Sequence, residues 1–278
     1  MQWLELHNVE YGECIVLGGA HHDILMVDCG SINQKIREGN LDFSDYVDPT
    51  LMERYSACSG RAFLLTHYHR DHLCGLYQML AKRGGYFDRI LLPVSPADTH
   101  GRHLLLDFAL FVYAFLPRQS DYAQVNLSAL RIFSRVAKSA GADRIYPIAA
   151  GSSFLFDDVT YDVLWPDREG YPFSDLFASA VEQLNVCLAS PFLPEVAQHF
   201  LELKARYGKA YHLCCQSVPL QAEKIARLDA LLEQVDLLVP ELQLLPTAPD
   251  IVQILTDPAT TTAYSDELNT ASVIFHNR

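Results

Sequence analysis

"LLTHYHRDHLCGL", residues 64–76, sets three histidines and an aspartate, His67, His69, Asp71 and His72, within six positions directly after an apolar run. Imidazoles at that density are poor core material, because each ring nitrogen needs a partner or a path to solvent when buried. A polar surface loop with coincidental histidines is the bland alternative; four ligand-type side chains in one six-residue window behind a strand argue against it. An H-x-H-x-D-H run on a loop leaving a strand can send alternate side chains into one pocket, while the adjacent Asp and His reach a second point a few ångströms away. That pattern suits two metal ions. Zinc takes neutral imidazole and carboxylate, and two metals about 3.5–4 Å apart can hold a bridging hydroxide and clamp both the attacking and the leaving oxygen of a hydrolysis.

Outward from this cluster, the preceding RAFLLT reads as a short strand, so the histidines sit at a strand's C-terminal end. Downstream, GLYQMLAKR predicts a helix closed by Gly84-Gly85, RILLPVS a buried strand, and THGRHLLLDFALFVYAFLPR a helix stopped by Pro117; a further helical stretch runs from about Val125 to Ser139. Alternating strands and helices favour an α/β (mixed α+β) architecture. Upstream, QWLELHNV and ECIVLGGAHHDILMVDCG predict antiparallel strands, followed by a polar connection with Pro49 near a helix start at Thr50. Later, SSFLF and VTYDVLW predict a hairpin across Asp157-Asp158. From 172 to about 235 the composition shifts to helix formers, which reads as a helical insertion, and ASVIF reads as a strand.

The 278 residues, half of them apolar and a fifth charged, describe an ordinary globular chain, read as one domain over 1–278. A net charge of −13 makes the average surface repel phosphates, which argues against a DNA-coating role; a phosphoester substrate would need a local cationic patch or a metal. Seven cysteines without a C-x-x-C pair, and a start lacking a basic then apolar leader, point to a reducing, cytoplasmic home. The stretch LLLDFALFVYAFL is too short to span a bilayer and carries Asp107, so it predicts a buried helix, with an interfacial role as the alternative and no membrane partner. His21-His22, His100, His103, His199 and His212 are scattered and are left without a role.

With Gly75 closing it, the run Thr66-His67-Tyr68-His69-Arg70-Asp71-His72-Leu73-Cys74-Gly75 resembles the signature of the metallo-β-lactamase fold hydrolases. Asp28-Cys29-Gly30, ending the strand ILMVD, resembles that family's first motif, whose aspartate supports the metal loop without ligating; a plain strand-ending turn is the alternative. HNVEYGECIVL, YDVLWP and LNTASVIF are similar to segments of the metallo-hydrolase domain of bacterial competence DNA-uptake proteins, with Glu13 and Cys14 standing where that branch more often has aspartate and serine. The resemblance implies an αββα sandwich and two zinc ions, with manganese or iron as alternatives. It places His67 and His69 on the first metal and Asp71 and His72 on the second, with Asp71 also orienting the catalytic water.

The family also draws a histidine, a bridging aspartate and a last histidine from later segments, whereas here the Asn269-x-x-Ser272-Val273 segment is followed only by Ile274-Phe275-His276-Asn277-Arg278. The sandwich is therefore expected to be incomplete at its C-terminus, with His103, Asp162 or His276, or another chain, as alternative ligand sources. Exposed apolar surface on such a half-sandwich would favour a homodimer or a protein partner. Two functions follow: a hydrolase acting through a metal-activated water on a phosphodiester or other small-molecule substrate, or a catalytically weak, partner-binding domain. A di-iron redox relative is a third possibility that the motif alone does not exclude.

Overall fold

The computed structural model describes residues 2–32, 35–36, 41–117 and 129–277. The strands are β1 (Trp3–Leu6), β2 (Ile15–Gly18), β3 (Asp23–Val27), a small ribbon of β4 (Lys35–Ile36) and β5 (Leu41–Asp42), β6 (Gly60–Leu64), β7 (Arg89–Pro93), β8 (Ile145–Ile148), β9 (Ser153–Phe156), β10 (Val159–Trp165) and β11 (Ile274–Asn277). The helices are α1 (Phe43–Asp45), which continues in wider turns over Tyr46–Met52, then α2 (Arg70–Lys82), α3 (Leu104–Phe115), α4 (Ile132–Ala140), α5 (Asp175–Leu188), α6 (Glu195–Cys215), α7 (Ala222–Leu242), α8 (Ala248–Thr256) and α9 (Pro258–Thr270). The mixed α/β class expected from the sequence is what the chain adopts.

Six strands form one sheet in the order β1-β2-β3-β6-β7-β8. The first three are antiparallel, and β3, β6, β7 and β8 run parallel, joined by helical crossovers. Strand alternation divides the core in two. Ile24, Met26, Phe63, Ile90 and Leu92 point to the helical side and join the larger core with α2, α3 and α4. Leu25, Val27, Leu64, Leu91 and Ile148 point the other way and pack against Phe154, Phe156 and Val163 of a three-stranded sheet, β11-β10-β9. On the far side of that small sheet, Leu155, Leu164 and Ile274 are 56%, 52% and 54% exposed, so part of its outer face is apolar and open.

The hairpin expected across Asp157-Asp158 forms, with both residues at positive φ (52° and 59°) as a tight two-residue turn demands. Every residue of α3 is buried, and its Asp107 is ion-paired with Lys204 of α6. No described helix is long and apolar enough to cross a membrane. Two boundaries differ from the sequence expectation. The helical region extends beyond 235 to Thr270, because Pro249 and Pro258 occupy the first turns of α8 and α9, where a missing N–H costs nothing. The helix expected from about Val125 is described from residue 129, with a turn at Arg131 before α4 begins at Ile132, residues 125–128 lying outside the described residues.

Candidate metal centre

Parallel pairing of β3 with β6 sets Val27 beside Leu64, so the residues after each strand emerge together at the sheet's C-terminal edge. Asp28 leaves β3 at φ 56° and is wholly buried. Its Oδ1 accepts from the Thr66 backbone N–H at 2.7 Å, and its Oδ2 from the Thr66 hydroxyl at 2.6 Å and from His72 Nδ1–H at 2.8 Å. Around this carboxylate the backbone is laced into one unit: Glu13 N–H donates to Asp71 O, Gly30 N–H to Glu13 O, Cys29 N–H to His72 O and Gly75 N–H to Cys29 O, all between 2.8 and 3.1 Å. At Gly30 an added Cβ would lie 2.4 Å from the Asp71 carbonyl carbon and 2.6 Å from His72 N, so the strand-end turn has to carry glycine there.

The Asp28 network fixes which ring nitrogens carry protons. A carboxylate only accepts, so the Thr66 hydroxyl spends its proton on Asp28 and can only accept from His67 Nδ1–H, 3.0 Å away. His67 Nε2 therefore holds a lone pair; His72 likewise gives its Nδ1–H to Asp28, so its Nε2 holds one whenever that ring is neutral. His67 Nε2 lies 3.1 Å from His69 Nδ1, whose N–H donates to it in the metal-free chain. Two nitrogens bound to one tetrahedral zinc at about 2.0–2.1 Å would stand roughly 3.3 Å apart, so the pair is already near a chelating separation. The His69 ring is also hydrogen-bonded to the Asn269 side chain.

His67 and His72 approach with ring centroids 4.0 Å apart, and Asp71 Oδ2 stands 3.8 Å from His72 Nε2. The four residues picked from the sequence are thus neighbours in pairs. Asp71 and His72, expected on a loop, lie instead in the first turn of α2, where an acidic side chain is favoured by the helix dipole. Burial, helped by the neighbouring His72 and His69, pushes His67 down to about 3, so it is a neutral ligand-type imidazole throughout the physiological range. Burial also lowers His69. For His72 burial works in the same direction but is outweighed by the Asp28 carboxylate, which raises it.

Donor atoms of Glu13, Asp28 and His72 come within 4.8 Å of one another, a grouping that only partly coincides with the motif residues. Asp28 is committed to three donors, so we read it as the orienting group and Glu13 as the additional candidate ligand. Glu13 and Asn269 were not among the residues the sequence singled out as site residues, although both lie in segments carrying the wider resemblance. Asp162 and His276 stand opposite each other across β10 and β11. His103, at the start of α3, gives its Nδ1–H to Ser95 O at 2.9 Å. No family model matches the chain, and no curated protein matches it either.

Proposed function

We propose that this chain is a metal-dependent hydrolase of the metallo-β-lactamase fold, with phosphodiesters as the favoured substrate class. The observation that carries the reading is the preset pair His67 Nε2 and His69 Nδ1, 3.1 Å apart, with the His67 tautomer fixed by Asp28 through Thr66. Nitrogen and carboxylate donors of this kind fit zinc, with manganese or iron as alternatives. His67, His69, Asp71 and His72 would hold two ions, with Glu13 within reach of His72. Such ions, when bound, supply a water of lowered pKa and offset the negative charge that develops on the substrate.

The chain's own residues do the rest. Asp28 holds the His67 and His72 rings in the orientation that presents both Nε2 lone pairs. Asp71 is the carboxylate we assign to orient the attacking water and take its proton. The seven cysteines are free thiols, which supports a cytoplasmic setting.

Metal content, measured by inductively coupled plasma mass spectrometry, tests the reading together with hydrolysis of bis(p-nitrophenyl) phosphate. Near two ions per chain are expected, lost in the His67→Ala, His69→Ala double variant. Thr66→Val, which leaves every ligand in place but removes the relay to His67, should weaken metal binding by about 10–100-fold. Substoichiometric metal that ignores both changes would sink the proposal.

A second reading is favoured by the exposed Leu155, Leu164 and Ile274: a partner-binding domain whose outer sheet face is covered by a second copy of the chain. Partner affinity that survives the double histidine variant, in a chain that binds no metal, would select it.

A further inference from the structure

His69 stands between two partners that ask opposite things of its ring. Its Nδ1–H donates to His67 Nε2 at 3.1 Å, an atom that can only accept because the His67 proton is spent on Thr66. Burial keeps His69 neutral near pH 7, and a neutral imidazole carries a single N–H, so its Nε2 holds a lone pair. That leaves Nε2 for the Asn269 side chain, which meets a lone pair with its NH2 group. To hold a metal beside His67 Nε2, however, His69 has to present Nδ1 as the lone pair. Its proton must then stand on Nε2, and the partner there must accept.

Asn269 is one of the few side chains that meets both demands, because a carbonyl oxygen and an NH2 group sit on one rotor and exchange places by a half turn. A carboxylate would only accept, and an ammonium would only donate. The backbone on either side is fixed while the amide turns. Asn269 lies in the last turn of α9, its carbonyl accepts from Ser272 N–H at 3.1 Å, and Val273 N–H donates to Thr66 O at 3.0 Å. Trp165 Nε1–H donates to Thr270 O at 2.6 Å, and Leu268 and Ala271 line the small space beside His67. On the other side, the His69 carbonyl accepts from His72 and Leu73 N–H at 3.1 Å each, which ties it to the start of α2.

We propose that Asn269 is a positioning residue that lets His69 change tautomer, donating its amide N–H to the ring in the metal-free chain and accepting the ring N–H when Nδ1 turns to a metal. In that change one proton leaves Nδ1 to water and one is taken up from water at Nε2, so the ring stays neutral and no net proton is released by it. The inference rests on the metal-dependent reading above. It adds the way in which the α9–β11 connection, far from the motif in sequence, prepares one of its ligands.

Long-range proton–nitrogen NMR spectra of the isotope-labelled full chain read the two tautomers directly. Without metal, His69 should be the Nδ1–H form; with zinc added it should be the Nε2–H form with Nδ1 coordinated. Asn269→Asp, whose carboxylate only accepts, should turn the metal-free ring to the Nε2–H form in advance. Asn269→Leu should leave the metal-free tautomer unchanged and weaken zinc binding by about tenfold, measured by competition with a chromophoric chelator, and Asn269→Gln should recover most of that loss. Asn269 is exposed, so none of these changes disturbs the core. A metal-free ring already in the Nε2–H form, a zinc-bound ring still in the Nδ1–H form, or equal zinc affinity in Asn269→Leu would each overturn the proposal. Zinc bound with the wrong tautomer removes the role of Asn269 alone; a chain that takes up no zinc at all removes the metal reading and this proposal with it.

Discussion

Burial of a neutral imidazole makes folding sensitive to acid, and His7, His67, His69 and His103 are all in that condition, each lowered chiefly by burial. For such a group the unfolded chain takes up its proton near pH 6.5, before the folded one does. The stability it protects is therefore complete above about pH 6.5 and is lost as pH falls toward the folded value, about 3 for His67. His72 is raised and has the opposite sign: its share is complete below the unfolded value and fades as pH rises through the folded one. Four lowered groups against one raised, buried one decide the direction. Metal-free protein should lose about 2 kcal/mol from His67 alone between about pH 7.5 and pH 5, read as a falling urea midpoint. A midpoint that holds steady or rises over that interval would contradict the burial assigned to these rings. At this scale the four motif residues were legible because ligand types crowd one window, whereas Glu13 reaches the centre through backbone bonds and Asn269 through its side chain, both from far away in sequence.

Between elements, the loop proposed to hold metal is built by close approach of the turn after β3 to the first turn of α2. The Cys29 N–H to His72 O bond and the Gly75 N–H to Cys29 O bond hold that approach at 2.8 Å each. Gly30→Ala puts a Cβ against backbone atoms that have no freedom to rotate away, so the turn and helix must separate. We expect a loss of about 1–3 kcal/mol in urea unfolding, with metal affinity falling in parallel because Asp28 and His72 move apart. Unchanged stability and metal content in this variant would mean that the contact is not close in solution. Strand positions were readable from apolar runs and turn residues, and the two hairpins follow from Gly18-Gly19 and Asp157-Asp158. Helix limits were less so. Arg70, Asp71 and His72 read as loop because their chemistry is that of ligands, although an acidic residue suits a first helical turn; and the helical region was expected to end near 235, although Pro249 and Pro258 start further helices beyond it.

At the level of the whole molecule, the six-stranded sheet is covered on one face by helices and on the other by the β9-β10-β11 sheet, whose own outer face carries Leu155, Leu164 and Ile274 in the open. Alternation makes this inevitable for a strand whose other side is core: Phe154 and Phe156 are buried, so Leu155 between them must face out. A solvated outer face would ordinarily carry polar side chains, and β10 does offer Thr160 and Asp162 there beside Leu164. The edge strand β11, which has no further strand neighbour among the described residues, adds backbone groups next to Ile274 that favour pairing with a like edge. If a second copy covers this surface, gel filtration at micromolar concentration should give twice the 31.3 kDa of one chain. Leu155→Lys with Leu164→Lys should then return it to a single chain while leaving metal content untouched, because neither side chain belongs to the core beneath the metal loop. A monomeric mass for the unaltered protein would assign these leucines to ordinary exposed surface and would remove the second-copy reading without bearing on the metal centre.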